Sequence, residues 1–285
     1  MYQMIADHHT NTIYLADAGF YETKKEFLRF RRFLEKQGLN VKILKGTEDM
    51  FCRDYMPVQV ANDEFVQFVF RPENYIKHSE AEFISNPVRI ELENRLVRPK
   101  YSTIVLDGGN VVQWEDKVIM TDRVIRDNLY QFSSEEDILR QLEKELRCKV
   151  ILIPEYEGDE TGHADSLVRF IDSNTVLIND AYREPDKSWL RKFLSVLAEN
   201  GLEHVNLPCT LEYGQETADG LYMNYLQLGK CIVVPQFGLE EDEMALKIME
   251  EVFGNRNRVV PYPADWIAEY GGVFHGVTWT ILEAD

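Results

Sequence analysis

Val58-Gln59-Val60-Ala61-Asn62-Asp63-Glu64-Phe65-Val66-Gln67-Phe68-Val69-Phe70 reads as two strands bent back on themselves at Asn62-Asp63. Apolar and β-branched residues flank a polar pair that tolerates tight-turn backbone angles, which is the pattern of a hairpin. The same grammar returns three times. Glu115-Asp116 sits inside residues 110–122, Asp172-Ser173-Asn174 inside 166–180, and Gly229-Lys230 inside 224–237. Taking Asn62, Glu115, Ser173 and Gly229 as markers, the hairpins fall 53, 58 and 56 residues apart. A constant separation over a whole chain is the mark of an internal repeat.

Each hairpin is followed by helical periodicity and then a short apolar strand. Ser133-Ser134-Glu135-Glu136 caps a helix with Ile138, Leu139, Leu142 and Leu146 on one face. Trp189, Leu190, Phe193, Leu194 and Leu197 form the face of the next, which stops at Asn200-Gly201. Met244, Ala245, Ile248, Met249 and Val252 do the same before Gly254. Residues 79–97 form a weaker helix, interrupted by Pro87. The returning strands are expected at 102–106, 149–153, 204–207 and 258–260. Extended both ways, the period lands just past the C-terminus and near residue 5, so a fifth hairpin is cut open at its turn. Its strands are expected at 273–282 and 12–16, completed by a helix at 22–37 and a strand at 41–44. Five ββαβ units of about 57 residues fill the 285-residue chain as one α/β domain, residues 1–285. Pairing the terminal strands closes the array into a pseudo-fivefold ring and removes the edges an open array would leave.

Composition is that of a globular protein, 45% hydrophobic and 12% aromatic. The formal net charge of −18 argues against nucleic acid and anionic membrane as partners and favours cations. The first residues carry neither a basic stretch nor an apolar core of a secretory signal, and no apolar run approaches the roughly 18 residues of a membrane span. A soluble, cytoplasmic protein is the expectation. Cys52, Cys148, Cys209 and Cys231 show no metal-ligand spacing, so no metal site is expected and the thiols read as reduced. His8, His9, His78 and His204 have no evident partners in the sequence.

Each returning strand leads through a loop into the next hairpin, and the polar clusters lie in or beside these loops. They are Phe51-Cys52-Arg53-Asp54-Tyr55-Met56-Pro57, Asp107-Gly108-Gly109-Asn110, Gly162-His163-Ala164-Asp165 continuing to Arg169-Phe170, Tyr222-Met223-Asn224, and Gly271-Gly272-Val273-Phe274-His275-Gly276-Val277-Thr278. His163 and Asp165, two apart on a strand, would share a face. The loops should cluster at one end of the ring, which puts Asp54, Asp107, His163, Asp165, Asn224 and His275 around one axial pocket with Gly276 at its wall.

In order and separation these clusters resemble the signatures of the agmatine deiminase and bacterial (Porphyromonas-type) peptidylarginine deiminase family: W-x-R-D-x-G-P, [DE]-G-G-N, G-H-x-D-x-x-x-R-F, an Asn beside an aromatic, and G-G-x-x-H-C-x-T. The resemblance covers essentially the full length. It implies the five-bladed α/β propeller (pentein fold) of the guanidino-group-modifying superfamily, with no cofactor. The ligand implied is a small guanidino compound, agmatine or arginine, or an arginine-containing peptide.

The chemistry suits the residue types. A guanidinium is planar and cationic, with paired N–H donors that carboxylates bind bidentately. By resemblance Asp54 and Asp165 grip it, Asp107, Asn110 and Asn224 line the site, and His163 is the general acid/base. The family's cysteine attacks the guanidinium carbon, ammonia leaves, and water hydrolyses the amidino-thioether. Gly108 and Gly109 would let backbone approach the pocket closely. Arg53 and Arg169 read as structural partners of loop carboxylates. Glu155, Glu157, Asp159 and Glu160 read as a solvated rim.

Three departures stand out. Phe51 occupies the tryptophan place, Met56 the glycine place, and Gly276, beside His275, the place of the nucleophilic cysteine. Cys52 could stand in for it only if its stretch were extended, so that it shared a face with Asp54. Three readings follow: a family protein that binds guanidinium without catalysis, an active deiminase whose cysteine was replaced at Gly276, and a non-enzymatic interaction protein on the same fold.

Overall fold

The computed structural model describes residues 4–19, 23–96, 98–180, 185–212 and 214–284. Fifteen strands among them form five sheets of three, each with the same plan: β15-β1-β2, β3-β4-β5, β6-β7-β8, β9-β10-β11 and β12-β13-β14, where β5 is Lys100–Val105, β8 Lys149–Ile153, β11 Glu203–Leu207 and β14 Arg258–Pro263. In every sheet the hairpin partner is antiparallel to the middle strand and the returning strand is parallel to it. The helix between them supplies the crossover that a parallel pair requires.

The four expected turns sit between β3 (Val58–Ala61) and β4 (Glu64–Val69), β6 (Val112–Gln113) and β7 (Lys117–Thr121), β9 (Val168–Phe170) and β10 (Thr175–Asn179), and β12 (Leu226–Leu228) and β13 (Cys231–Gln236). The fifth sheet joins the two ends of the chain. β1 (Thr12–Ala16) pairs antiparallel with β15 (Thr278–Ile281), Thr12 facing Ile281 and Leu15 facing Thr278. Its other edge pairs in parallel with β2 (Asn40–Leu44). Asn11 and Glu283 exchange two hydrogen bonds of 2.8 Å just beyond the paired strands, and Tyr14 Oη donates to Glu283 Oε1 at 2.6 Å.

β1 is buried on both faces. Ile13 and Leu15 pack with Phe27, Phe30 and Leu34 of the helix Lys24–Lys36. Tyr14 and Ala16 pack oppositely, with Tyr55 and Trp279. Period-two alternation on the strand and the i, i+3, i+7 spacing on the helix produce this division. The expected start of that helix, Glu22, lies outside the described residues.

Several boundaries differ from the sequence expectation. The C-terminal strand begins at Thr278, because residues 273–277 turn: Val277 N donates to Val273 O and Thr278 N to His275 O. The helix expected over 79–97 shrinks to Pro87–Asn94, with Pro87 in its first turn and the Asn86 side chain accepting from Arg89 N; residue 97 lies outside the described residues. Met244 is 59% exposed, because Ala245, Met249 and Phe253 form the buried stripe of the helix Glu241–Phe253. Ser134 caps Glu135–Leu146 by accepting from Asp137 N, and Ile138, Leu142 and Leu146 are buried as read. No described helix is long and apolar enough to cross a membrane.

Candidate active site

Residues 52–55 form a single helical turn, which aims Asp54 and Cys52 in different directions. Asp54 Oδ1 accepts from Gly109 N at 2.9 Å and faces His163 Nδ1 at 3.6 Å. Gly109 is obligatory here. A Cβ on it would stand 2.5 Å from His163 Nδ1 and 2.6 Å from Asp54 Oδ1, and one on Gly108 would stand 2.0 Å from Arg53 O. Cys52 is fully buried, its thiol directed at the carbonyls of Tyr14 and Val277. Burial pushes its pKa up to about 12, so it is no thiolate at neutral pH.

On its other nitrogen, His163 Nε2 lies 3.3 Å from Asp107 Oδ2. Burial alone would lower the histidine, but Asp54 and Asp107 outweigh it and hold its pKa up at about 10. Burial pushes Asp54 up to about 7, against the opposing pull of His163. Asp107 Oδ1 is buried with no hydrogen-bond partner among the described residues. An unmatched buried carboxylate oxygen costs several kcal/mol, roughly, unless a donor arrives.

The second half of the cluster centres on Asp165. Residues 164–166 are a 3-10 turn rather than the strand expected, so His163 and Asp165 reach different partners. Asp165 Oδ2 accepts from His275 Nδ1 at 2.6 Å and from Asn224 Nδ2 at 3.2 Å. Asn224 Oδ1 in turn accepts from Val273 N at 3.1 Å and Gly276 N at 3.2 Å. Arg53 N donates to Gly276 O at 3.1 Å, so the Gly276 loop is held from both sides. Burial, then the nearby cations Arg169 and Arg53, keep His275 well below its ordinary pKa and therefore neutral. Burial also raises Asp165 above the usual carboxylate range, against the opposing charges of His163, Arg169 and Arg53.

Asn110, expected to line the site, also braces it. Its Oδ1 accepts from Thr121 N, Thr121 Oγ1 and Ala164 N, pinning the His163 loop to β7. Arg53 and Arg169 are braces: Arg53 donates to Thr280 Oγ1 and His275 O, and Arg169 donates to Tyr225 O and pairs with Asp7 at 2.5 Å. Asp7 also stands 3.9 Å from His275 Nε2. No motif pointed to Asp7, which reaches the cluster only because the N-terminal segment packs there. Arg53, Arg169, His275 and Asp7 line a cavity of about 20 Å³, room for one water, on the far side of His275 from Asp165.

The ring of Phe51 lies over Gly272 and Gly276. A Cβ built on Gly276 would come 3.1 Å from Phe51 Cδ1, close enough that the ring must shift slightly, while no other atom lies nearer than 3.7 Å. The acidic loop is more engaged than a bare rim. Glu155 pairs with Arg126 at 2.7 Å and Arg123 at 3.4 Å, and Asp159 accepts from Thr161 and Ser166. Likewise His8 and His9 are not isolated: both face Glu115, at 3.5 and 3.4 Å.

A family model described as Porphyromonas-type peptidyl-arginine deiminase matches residues 1–281. An agmatine deiminase of Pseudomonas aeruginosa (strain LESB58) is 26% identical over 222 residues, 66% of this chain and 60% of that protein. A putative agmatine deiminase of Selenomonas ruminantium is 28% identical over 211 residues, 62% of this chain and 57% of that protein. The chain thus spans about three fifths of the length of the curated relatives it matches. Among solved structures, an agmatine deiminase of C. jejuni superposes with a TM-score of 0.79 at 17% identity, covering 99% of this chain and 96% of that one. An amidinotransferase from Microseira wollei gives 0.62 at 11% identity, covering 100% and 98%. These likenesses establish the α/β pentein fold.

Proposed function

Because the chain belongs to the Porphyromonas-type peptidyl-arginine deiminase family, we propose that it binds a guanidinium group, on agmatine, arginine or an arginine-containing peptide, without performing the family's covalent step. In this reading the five sheets are the blades of one closed domain, 1–285, and the motif loops share an end of it. Asp54, Asp107 and Asp165 supply the negative charge that a planar cation needs, and a guanidinium N–H gives the buried Asp107 Oδ1 its missing donor. Both bonds that Asp165 accepts fall on Oδ2, which leaves Oδ1 for the ligand. His163, held between Asp54 and Asp107, keeps the place of the family's general acid/base beside the bound ligand, and His275 positions Asp165.

The observation that carries the loss of catalysis is Gly276. It sits on the loop held by Asn224 and Arg53, with Phe51 across it and no thiol in place. The buried, protonated Cys52 is no substitute. Without a nucleophile better than water, His163 and the carboxylates polarise a bound guanidinium but cannot expel ammonia from it; losing such a group costs on the order of 10⁶ in rate.

Calorimetric titration with agmatine, arginine and an arginine peptide, alongside an ammonia assay, tests the reading. Saturable binding without ammonia above background is the expected result. Turnover that survives Cys52→Ala would refute the loss of catalysis. No binding of any guanidino compound would leave the fold as an interaction scaffold.

A further inference from the structure

His8 and His9 are consecutive residues of one 3-10 turn, Asp7–His9, yet both imidazoles face the same carboxylate oxygen of a distant hairpin turn. His8 Nε2 stands 3.5 Å and His9 Nε2 3.4 Å from Glu115 Oε1, in the turn between β6 and β7. The three ligand atoms lie within 4.8 Å of one another, and no other such group occurs among the described residues. These separations are long for a strong N–H···O bond. They suit ligands of one tetrahedral ion, since metal–ligand bonds of about 2.0–2.1 Å set the donor atoms about 3.3–3.4 Å apart.

The surroundings hold this geometry. The His8 ring packs against Trp114 at 4.6 Å and against His9 at 4.0 Å, fixing both planes. Backbone bonds pin each segment: Met4 N donates to Glu115 O at 2.8 Å, Thr10 N to Asp7 O at 3.2 Å, and Gly229 N to the same Asp7 O at 3.2 Å. All three side chains remain 28–38% exposed, so an ion can enter and take its remaining ligand from solvent.

We propose that His8, His9 and Glu115 form a transition-metal site, suited to zinc, that staples the N-terminal segment to the β6–β7 turn. Two imidazoles and a carboxylate favour zinc, copper, nickel or iron over magnesium or calcium, which prefer all-oxygen shells. The chain's net charge of −18 concentrates cations near its surface. The site would also act inward. Asp7, the residue before His8, pairs with Arg169 and faces His275, so a metal that holds this turn also holds the carboxylate beneath the His275–Asp165 pair.

The test uses the full, untagged, metal-stripped chain. Titration with Co²⁺ followed by visible absorption, and with Zn²⁺ by calorimetry, is expected to saturate at one equivalent and to raise the thermal midpoint. His9→Gln and Glu115→Gln, which remove ligands themselves, should each weaken binding by no less than the about 10–100-fold that losing a ligand's hydrogen-bond partner costs, while His78→Gln and Cys209→Ser leave it unchanged. In the unmodified protein, bound Co²⁺ should shift the ring protons of His8 and His9, a readout that needs no variant. No saturable binding below millimolar metal, or one-equivalent binding that survives the His9→Gln, Glu115→Gln double change, would overturn the proposal.

Discussion

His275 Nδ1 lies 2.6 Å from Asp165 Oδ2, two fully interior side chains 110 residues apart in the chain. The bond lets a neutral imidazole hold a carboxylate in place without adding a positive charge beside it. On the function proposed above, the next residue, Gly276, stands where the family's cysteine would.

Gly276→Cys is therefore the most direct perturbation. The backbone already sits between Asn224 and Arg53, and a Cβ meets only the edge of Phe51, 3.1 Å away. Ammonia release from agmatine or arginine should appear in G276C and rise further when Phe51→Ala gives the new side chain room. A double variant that binds ligand but stays silent would mean that the site needs more than its missing atom.

Asp54→Asn and Asp165→Asn should each reduce guanidinium affinity by at least tenfold, since a hydrogen bond to a charged partner contributes about 1.5–3 kcal/mol. Calorimetry would measure this directly. Asn110→Asp should instead lower stability, because Asn110 braces Thr121 and Ala164; equal losses of affinity in all three variants would undermine the division of roles.

Gly109→Ala is expected to damage binding more than its size suggests. Its methyl group would stand 2.5 Å from His163 Nδ1 and 2.6 Å from Asp54 Oδ1, prising the pair apart. Ligand titration of a folded G109A protein checks this; near-native affinity would show that the Asp54–His163 contact is dispensable.

Stability should depend on pH through His163. Its pKa is raised from 6.5 to about 10, so the folded state holds a proton that the unfolded chain has released. The stabilisation is full below about pH 6.5 and disappears as pH rises through 10. Between those limits one proton is worth up to about 1.4 kcal/mol per pH unit. Urea midpoints taken from pH 7 to 10 should fall more steeply in the native protein than in His163→Gln.

The pairing of the terminal strands can be tested through Trp279. It is 3% exposed, packs on Tyr14 and Phe65, and donates from Nε1 to Pro57 O at 2.9 Å. Trp279→Ala should cost about 3–5 kcal/mol in chemical denaturation. A loss below 1 kcal/mol would mean that the C-terminal strand adds little to the fold.

Turns and helix faces were legible in the chain because their causes are local. Asn62-Asp63 and Gly229-Lys230 bend the backbone by their own conformational preferences, and the spacing of Ile138, Leu142 and Leu146 follows from helix pitch. The motif clusters could be read for the same reason, each being a short run of residues with one chemistry. Which atom meets which depended on contacts made across the assembled sheets. Helical winding turned Cys52 away from Asp54, and a 3-10 turn sent His163 and Asp165 to separate partners. Phase along the helix left Met244 in solvent. Asp7 reached Arg169, and His8 and His9 reached Glu115, across 162 residues in the first case and from a 3-10 turn to a distant hairpin in the second. No local preference encodes such meetings, because side-chain direction and packing between distant segments are settled only when every strand has found its neighbours.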